Sequence, residues 1–203
     1  IKLYTQSANQ GNLLAQFNLG YLYEKGKGVG KNESTAVMWY KKAAEGGFDK
    51  AQLELGYLYD YGKGVMQDHK EAAKWYTKAA EQGNAIAQYN LGLMALAGEG
   101  LDKDETKARE WLKKAADQGD APAQLELGYL FDVGKGGNQS FEKAFEWYQK
   151  AAYQNHPIAQ YNIGHMFLKG EGIKQDNAKA FEMIRKSAEQ GYPKAQYMLG
   201  MLY

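Results

Sequence analysis

The chain has 203 residues and no cysteine, which excludes disulfide scaffolds, thiolate zinc sites and cysteine nucleophiles. Its 25 lysines and arginines balance 24 aspartates and glutamates, so the net charge of +1 gives no electrostatic case for nucleic acid or an anionic membrane surface. No apolar run approaches the length needed to insert across a bilayer.

The segment AQLELGYLYDYG at residues 51–62 recurs along the chain at a constant spacing of 36 residues. The other copies begin at Ala15, Ala87, Ala123 and Ala159, with a shortened copy at Ala195. Self-similarity at a fixed period of this size indicates a repeat array. We therefore predict a single solenoid with a partial repeat at 1–14, five full repeats at 15–50, 51–86, 87–122, 123–158 and 159–194, and a partial repeat at 195–203.

Each repeat predicts two helices, and residues 51–86 serve as the example. The first, helix A, carries Ala51, Leu55 and Leu58 on one face. It ends at Gly62, because glycine readily adopts the positive φ that stops a helix. Asp68 then supplies an N-cap for the second, helix B.

Helix B ends at a glycine in four repeats and at Asn155 in the fourth, where a left-handed C-cap is expected. Tryptophan recurs on helix B and is expected to fill the groove between repeats: it stands at Trp39, Trp75, Trp111 and Trp147. The fifth repeat has Met183 at this position. A glycine inside every helix A, Gly56 in the example, predicts close packing of the backbone there.

The residues 51–83, AQLELGYLYDYGKGVMQDHKEAAKWYTKAAEQG, are similar over their whole length to the Sel-1-like repeat family, a relative of the tetratricopeptide repeat. The resemblance implies an all-α fold, a right-handed α-solenoid of antiparallel helix pairs. It also implies work as a protein–protein adaptor. The gap-free repeats resemble those of bacterial members, and the resemblance favours a periplasmic or secreted location over a cytoplasmic one without fixing the compartment.

In tetratricopeptide-like stacks helix A lines the concave face, so residues of helix A outside its core positions are candidates for binding a protein or peptide. The predicted binding residues are Tyr21, Glu54, Tyr57, Asp60, Tyr61, Asn90, Glu126, Tyr129, Asn162 and His165. Tyrosine suits this role because it offers a large contact area and a polar tip. The alternative is that the stripe at the third and seventh positions of each helix A packs between successive repeats.

The sequence predicts no metal, cofactor or catalytic residue. Its three histidines lack metal-binding spacing, with His69 expected to be solvated, His156 to be a surface or capping residue, and His165 to lie in the candidate groove. Two other functions stay open: hydrolysis of cell-wall or lactam substrates, and dedicated inhibition of one toxin or enzyme as an immunity protein. Because the chain begins and ends inside repeats, we also expect end-to-end self-association.

Overall fold

The computed structural model describes residues 1–202, which form twelve α-helices and no strand, so the all-α prediction is confirmed for them. The last predicted partial repeat extends to Tyr203, which lies outside the described residues. The helices are α1 (Lys2–Asn9), α2 (Leu13–Lys25), α3 (Glu33–Glu45), α4 (Asp49–Tyr61), α5 (His69–Glu81), α6 (Ala85–Ala97), α7 (Glu105–Asp117), α8 (Ala121–Val133), α9 (Phe141–Tyr153), α10 (Pro157–Lys169), α11 (Asn177–Glu189) and α12 (Pro193–Leu202).

The chain divides into two compact units, the first spanning Ile1–Asp104 with α1–α6 and the second beginning at Glu105 with α7–α12. Odd-numbered helices correspond to helix B of the sequence pattern, and even-numbered helices correspond to helix A. That the two units join in one continuous solenoid stays a prediction.

Local capping sets the helix boundaries as the sequence predicted. The Asp68 carboxylate accepts hydrogen bonds from the backbone N–H groups of Lys70 and Glu71 at the start of α5. Glycine ends each full helix A in the left-handed conformation, as at Gly62 with φ of 65°. Asn155 adopts a positive φ of 60° after α9, which confirms the expected left-handed position.

Helices A and B of one repeat run antiparallel. The backbone N–H of Asn32, just before α3, donates to the carbonyl of Tyr23 near the end of α2 at 2.8 Å. At the opposite end, Leu13 at the start of α2 lies against Gly46, which follows α3. The two helices therefore contact along their whole length.

The glycine inside helix A makes room for a side chain of helix B, which is a tyrosine ring in three repeats, and Gly164 also lies close to a backbone carbonyl of α11, as the expected backbone packing requires. A Cβ on Gly20 would lie 2.7 Å from the ring of Tyr40, and one on Gly128 would lie 2.6 Å from the ring of Tyr148. Tyr40 and Tyr148 are consequently buried almost completely.

The recurring tryptophan packs between repeats, as expected. Trp39 on α3 forms a buried cluster with Ala8 on α1 and with Ala15 and Leu19 on α2. The indole thus contacts both the preceding helix B and the helix A of its own repeat. The next three repeats also have tryptophan at this position. The fifth repeat has Met183 there and therefore lacks the indole.

A buried glutamine at the second position of helix A was not predicted. Gln52 donates from Nε2 to the carbonyl of Ala44 at 3.1 Å, which satisfies a carbonyl in the last turn of the preceding helix B. Its own Oε1 accepts from Nε2 of Gln82 at 2.7 Å. Gln16 makes the first bond, to Ala8, but its Oε1 has no partner because Gly46 stands where other repeats have glutamine.

The third position of helix A belongs largely to the packing between helices. The ring of Phe17 lies 5.4 Å from that of Tyr40 and 5.3 Å from that of Phe48, and Leu125 is buried. For this position, packing between helices is therefore the better interpretation. The fourth and seventh positions remain on the surface of helix A.

Candidate functional site

The first unit brings together three of the predicted binding residues. Glu54 and Tyr57 on α4 and Asn90 on α6 line one open cavity of about 370 Å³. Lys25 from the end of α2 and Lys63 from the loop after α4 line the same cavity. The site therefore combines side chains from three successive repeats in one surface.

Glu54 is the acidic residue of α4 that lines this cavity. It is half-buried, and burial together with the nearby carboxylate of Glu24 raises the pKa of Glu54, while the ammonium of Lys25 acts in the opposite direction. No hydrogen bond or ion pair reaches the Glu54 carboxylate from the rest of residues 1–202. The oxygens of Glu54 are thus open to a donor from outside the chain.

Lysines from the loop after helix A hold two of the predicted tyrosines, a contact that sequence analysis missed. Nζ of Lys27 donates to the hydroxyl of Tyr21 at 3.0 Å, and Nζ of Lys63 donates to that of Tyr57 at 2.7 Å. The signal was a lysine six residues after each tyrosine. Tyr21 is 38% exposed, so one side of its ring stays available.

The two remaining predicted residues of α4 differ in their surroundings. The carboxylate of Asp60 lies 2.8 Å from Nδ1 of His69 at the start of α5, so His69, whose side chain is 39% exposed as expected, also pairs within the chain. Tyr61 is 61% exposed, and its ring centroid lies 4.6 Å from that of Tyr57. Asp60 is therefore occupied within the chain, while Tyr61 extends the aromatic surface of the cavity.

In the second unit, Glu126 and Tyr129 lie on α8. Glu126 is half-buried and burial raises its pKa, with no ion pair or hydrogen bond from the described residues. Tyr129 is 42% exposed, and the ammonium of Lys135 lies 5.7 Å from its ring centroid. Glu126 thus shares its partial burial with Glu54 one double repeat earlier, but among residues 1–202 no acidic or lysine neighbour perturbs its pKa.

Asn162 and His165 lie on α10, the next helix A. Asn162 interacts with the hydroxyl of Tyr148, which also donates to the carboxylate of Asp132 at 3.4 Å. The ring of His165 stacks on Tyr161 with 6.3 Å between centroids. Both residues are half-buried, so each presents only part of its side chain to solvent.

The third histidine, His156, precedes α10 at the N-cap position but makes no side-chain capping bond. Its Nδ1 is buried without a partner, and burial lowers the pKa of His156, so this partly exposed residue holds the expected capping position without making a capping hydrogen bond. Across residues 1–202, no three or more histidine or acidic side chains are arranged to hold a metal ion. None of the helices described there has the length and apolar character to cross a membrane.

Comparison with known proteins gives a consistent result over the whole sequence. The Sel1 repeat pattern matches residues 1–12, 13–48, 49–84, 85–120, 121–156, 157–192 and 193–203. A protective antigen of uropathogenic Escherichia coli strains with an SLR fold is 37% identical, with a TM-score of 0.95 over 98% of this chain and 43% of that chain. A Sel1 repeat protein from Oxalobacter formigenes is 38% identical, with a TM-score of 0.86 over 94% of this chain and 76% of that chain.

Among curated proteins, the chitin synthase regulator SKT5 of Saccharomyces cerevisiae is 54% identical over 39 residues, which is 19% of this chain and 6% of the yeast protein. The chain thus spans less than half the length of the E. coli antigen and a small fraction of the yeast regulator. The matched pattern, the helix pairs and the solved relatives all agree on a helical repeat solenoid. The chain belongs to the Sel1 repeat family.

Proposed function

We propose that the chain is a non-catalytic interaction scaffold that binds a segment of a partner protein on the helix-A faces of its repeats. The observation that carries the proposal is the cavity shared by Glu54, Tyr57 and Asn90. Sel1 repeat proteins are generally scaffolds for protein–protein interaction, which supports the general function. The binding surface proposed comprises these three residues with Tyr21 and Tyr61 in the first unit, and Asp60 borders it while paired with His69.

The chemistry of this cavity suits a polypeptide. The open carboxylate of Glu54 accepts hydrogen bonds from backbone N–H groups or from a lysine or arginine. The amide of Asn90 both donates and accepts, so it can pair with a peptide group. The ring of Tyr57, fixed by Lys63, adds contact area with little loss of side-chain freedom.

The second unit offers a comparable surface formed by Glu126, Tyr129, Asn162 and His165. Glu126 and Tyr129 have the same spacing as Glu54 and Tyr57, and Glu126 is half-buried like Glu54, whereas Tyr129 is more exposed than the half-buried Tyr57. A partner that contacts both units would gain affinity from the two linked contacts. Each unit is therefore expected to bind weakly alone.

The experiment uses a random peptide library displayed on phage, selected against the whole chain, with affinities of enriched peptides measured by fluorescence polarisation. We expect Tyr57→Ala combined with Tyr129→Ala to weaken binding at least about tenfold, which corresponds to about 1.4 kcal/mol. The exposed Lys41→Ala on α3 is the matched control and should bind as the original chain does. Equal affinity of the double variant and the control, with circular dichroism unchanged, would rule out the helix-A surface.

Non-catalytic function is part of the proposal, and Sel1 repeat proteins are typically non-catalytic. Neither Glu54 nor Glu126 has a nucleophile or base within hydrogen-bond distance among the described residues, which an acid–base mechanism would require. A screen with peptidoglycan fragments and β-lactams should show no turnover. Turnover that disappears in Glu54→Gln or Glu126→Gln would show that the chain is a hydrolase and would overturn the proposal of a non-catalytic scaffold.

The second candidate is a dedicated inhibitor of one toxin. An immunity protein from Pseudomonas aeruginosa is 25% identical, with a TM-score of 0.50 over 80% of this chain and 59% of that chain. Purification from the native organism distinguishes the two functions. One enzyme recovered in equal amount and inactive while bound indicates an immunity protein, whereas several partners without such inhibition indicate a scaffold.

A further inference from the structure

The second unit contains a cavity on the helix-B side, away from the helix-A residues proposed above. Its volume is about 540 Å³, and it is bordered by α9, α10 and α11. Its lining includes Ala152, Ile163, Phe167, Met183 and Lys186. Apolar side chains therefore make up much of the lining, and the charged side chains of Lys179, Glu182 and Lys186 lie beside them.

The cavity lies where the repeat pattern would place an indole. Met183 occupies the position of the tryptophan in the four preceding repeats. Trp39 packs on Ala8 and Leu19, and the counterparts of these two residues 144 positions later are Ala152 and Ile163, which both line the cavity. The side chains that would hold an indole are present, and the indole is absent.

Two further departures from the repeat pattern line the same cavity. Tyr153 replaces an acidic residue; its counterparts are Glu45, Glu81, Asp117 and Glu189. Asn155 replaces the glycine found at this position in the other repeats. Tyr153 is 80% exposed, so its ring stands at the mouth of the cavity. Three departures from the repeat pattern thus line one cavity, and one of them, Tyr153, adds an aromatic ring there.

A cation is already positioned for an aromatic ring. Lys186 is the counterpart of the lysine that lies over the tryptophan in the four preceding repeats. The ammonium-to-centroid distances there are 4.2 Å for Lys42 and Trp39, 4.1 Å for Lys78 and Trp75, 3.9 Å for Lys114 and Trp111, and 3.6 Å for Lys150 and Trp147. Lys186 instead pairs with Glu182 at 2.6 Å at the exposed edge. A ring that enters the cavity would complete the cation–π contact found elsewhere in the chain.

We propose that this cavity is a docking site for an aromatic side chain of a partner protein, an indole above all. The ring would rest on Ala152 and Ile163, take the place of the Met183 side chain, and lie under the ammonium of Lys186. The flexible thioether of Met183 can move aside to admit it. The site requires none of the residues of the binding surface proposed above, so its test is independent of the function proposed there.

The test uses N-acetyl-tryptophanamide as the probe and N-acetyl-leucinamide as the matched control, with methionine-methyl and isoleucine-methyl NMR signals of the whole chain as the readout. We expect saturable shifts of the Met183 and Ile163 methyl groups with the tryptophan probe and at least about tenfold weaker binding of the leucine probe. Lys186→Gln should weaken binding of the tryptophan probe severalfold and leave that of the leucine probe unchanged, because only the aromatic ring attracts the ammonium.

Met183→Trp fills the cavity from within and should abolish binding of the probe. This variant should fold, since tryptophan is the residue of the other repeats, and Lys186→Gln keeps the test decisive even where Met183→Trp fails to fold. Equal shifts with both probes, no saturable binding of the tryptophan probe, or unchanged binding by a folded Met183→Trp would overturn the proposal.

Discussion

The ring of Tyr76 occupies the space that a side chain on Gly56 would need, with Cδ1 of Tyr76 only 2.6 Å from the position of a Cβ on Gly56. Gly56 lies in the middle of α4, where glycine weakens a helix by about 1 kcal/mol relative to alanine. The same relationship links Gly20 to Tyr40 and Gly128 to Tyr148. The glycine thus lowers the intrinsic stability of helix A, and it leaves the space in which a tyrosine of helix B is buried.

Gly56→Ala should therefore destabilise the protein by about 1–2 kcal/mol, because the overpacking penalty exceeds the gain in helix propensity. Gly200→Ala is the matched control, since a Cβ at this equivalent position in α12 would meet nothing within 4 Å, and it should be neutral or slightly stabilising. Urea unfolding measures both. Adding Tyr76→Leu should recover part of the loss in Gly56→Ala; a loss that stays the same would show that the ring is not its cause.

The hydroxyls of Tyr40 and Tyr76 have different partners although the rings are equivalent. Tyr40 donates to the carboxylate of Glu24 at 2.8 Å, whereas the buried hydroxyl of Tyr76 has no hydrogen-bond partner. Tyr40→Phe should cost about 1.5 kcal/mol because it removes a bond to a charged acceptor. Tyr76→Phe should be neutral or stabilising, because it removes an unpaired polar group. Thermal unfolding of both variants under one condition checks this, and equal losses would contradict it.

The unpaired Oε1 of Gln16 can be given a partner. In the next repeat Gln82 donates to Gln52, and the residue equivalent to Gln82 in the first repeat is Gly46. A side chain on Gly46 would overlap Leu13. In a Leu13→Ala background, Gly46→Gln should therefore raise the free energy of unfolding by about 1 kcal/mol through the restored hydrogen bond. In the chain that keeps Leu13, Gly46→Gln should raise the free energy of unfolding by less. A gain that persists after Gln16→Leu would show that it does not come from this bond.

Glu126 should make stability depend on pH in an unusual direction. Burial raises its pKa in the folded state, so ionised Glu126 destabilises the fold at neutral pH. As the pH falls through the raised pKa, the folded chain binds the proton before the unfolded chain does, and this penalty disappears. Glu126→Gln should thus be more stable than the original chain at pH 7, with a difference that shrinks toward about pH 4.

Glu142 at the start of α9 is the control for that measurement. Hydrogen bonds from its own backbone N–H and from Ser140 lower its pKa, so ionised Glu142 stabilises the fold. Glu142→Gln should be less stable at pH 7, and the loss should shrink as the pH falls through the ordinary value near about 4.3, where the unfolded chain becomes protonated, and on through the lowered folded pKa. Differences of the same sign in the two variants would refute the assigned burial effect.

The elements of this fold are local, and the sequence determined them. The 36-residue period, the caps such as Asp68 and the glycines such as Gly62 set the twelve helices, because N-cap bonds and left-handed turns depend on residues only a few positions apart. The sequence also placed the candidate binding residues on helix A. Glu54 and Tyr57 were both predicted there as residues of helix A outside its core positions.

Only the tertiary structure decided how side chains distant in the sequence meet. The burial of Gln52 depends on Gln82 at the end of the next helix B, and the pairing of Asp60 with His69 depends on how α4 and α5 pack. Glutamine recurs at the second position of every helix A, but this recurrence does not by itself distinguish a buried glutamine from an exposed one. The sequence shows Met183 in place of a tryptophan, but the cavity beside it depends on the packing of Ala152 and Ile163, which keep the positions that hold an indole elsewhere. Packing is non-local, so a single missing ring alters a surface contributed by three helices.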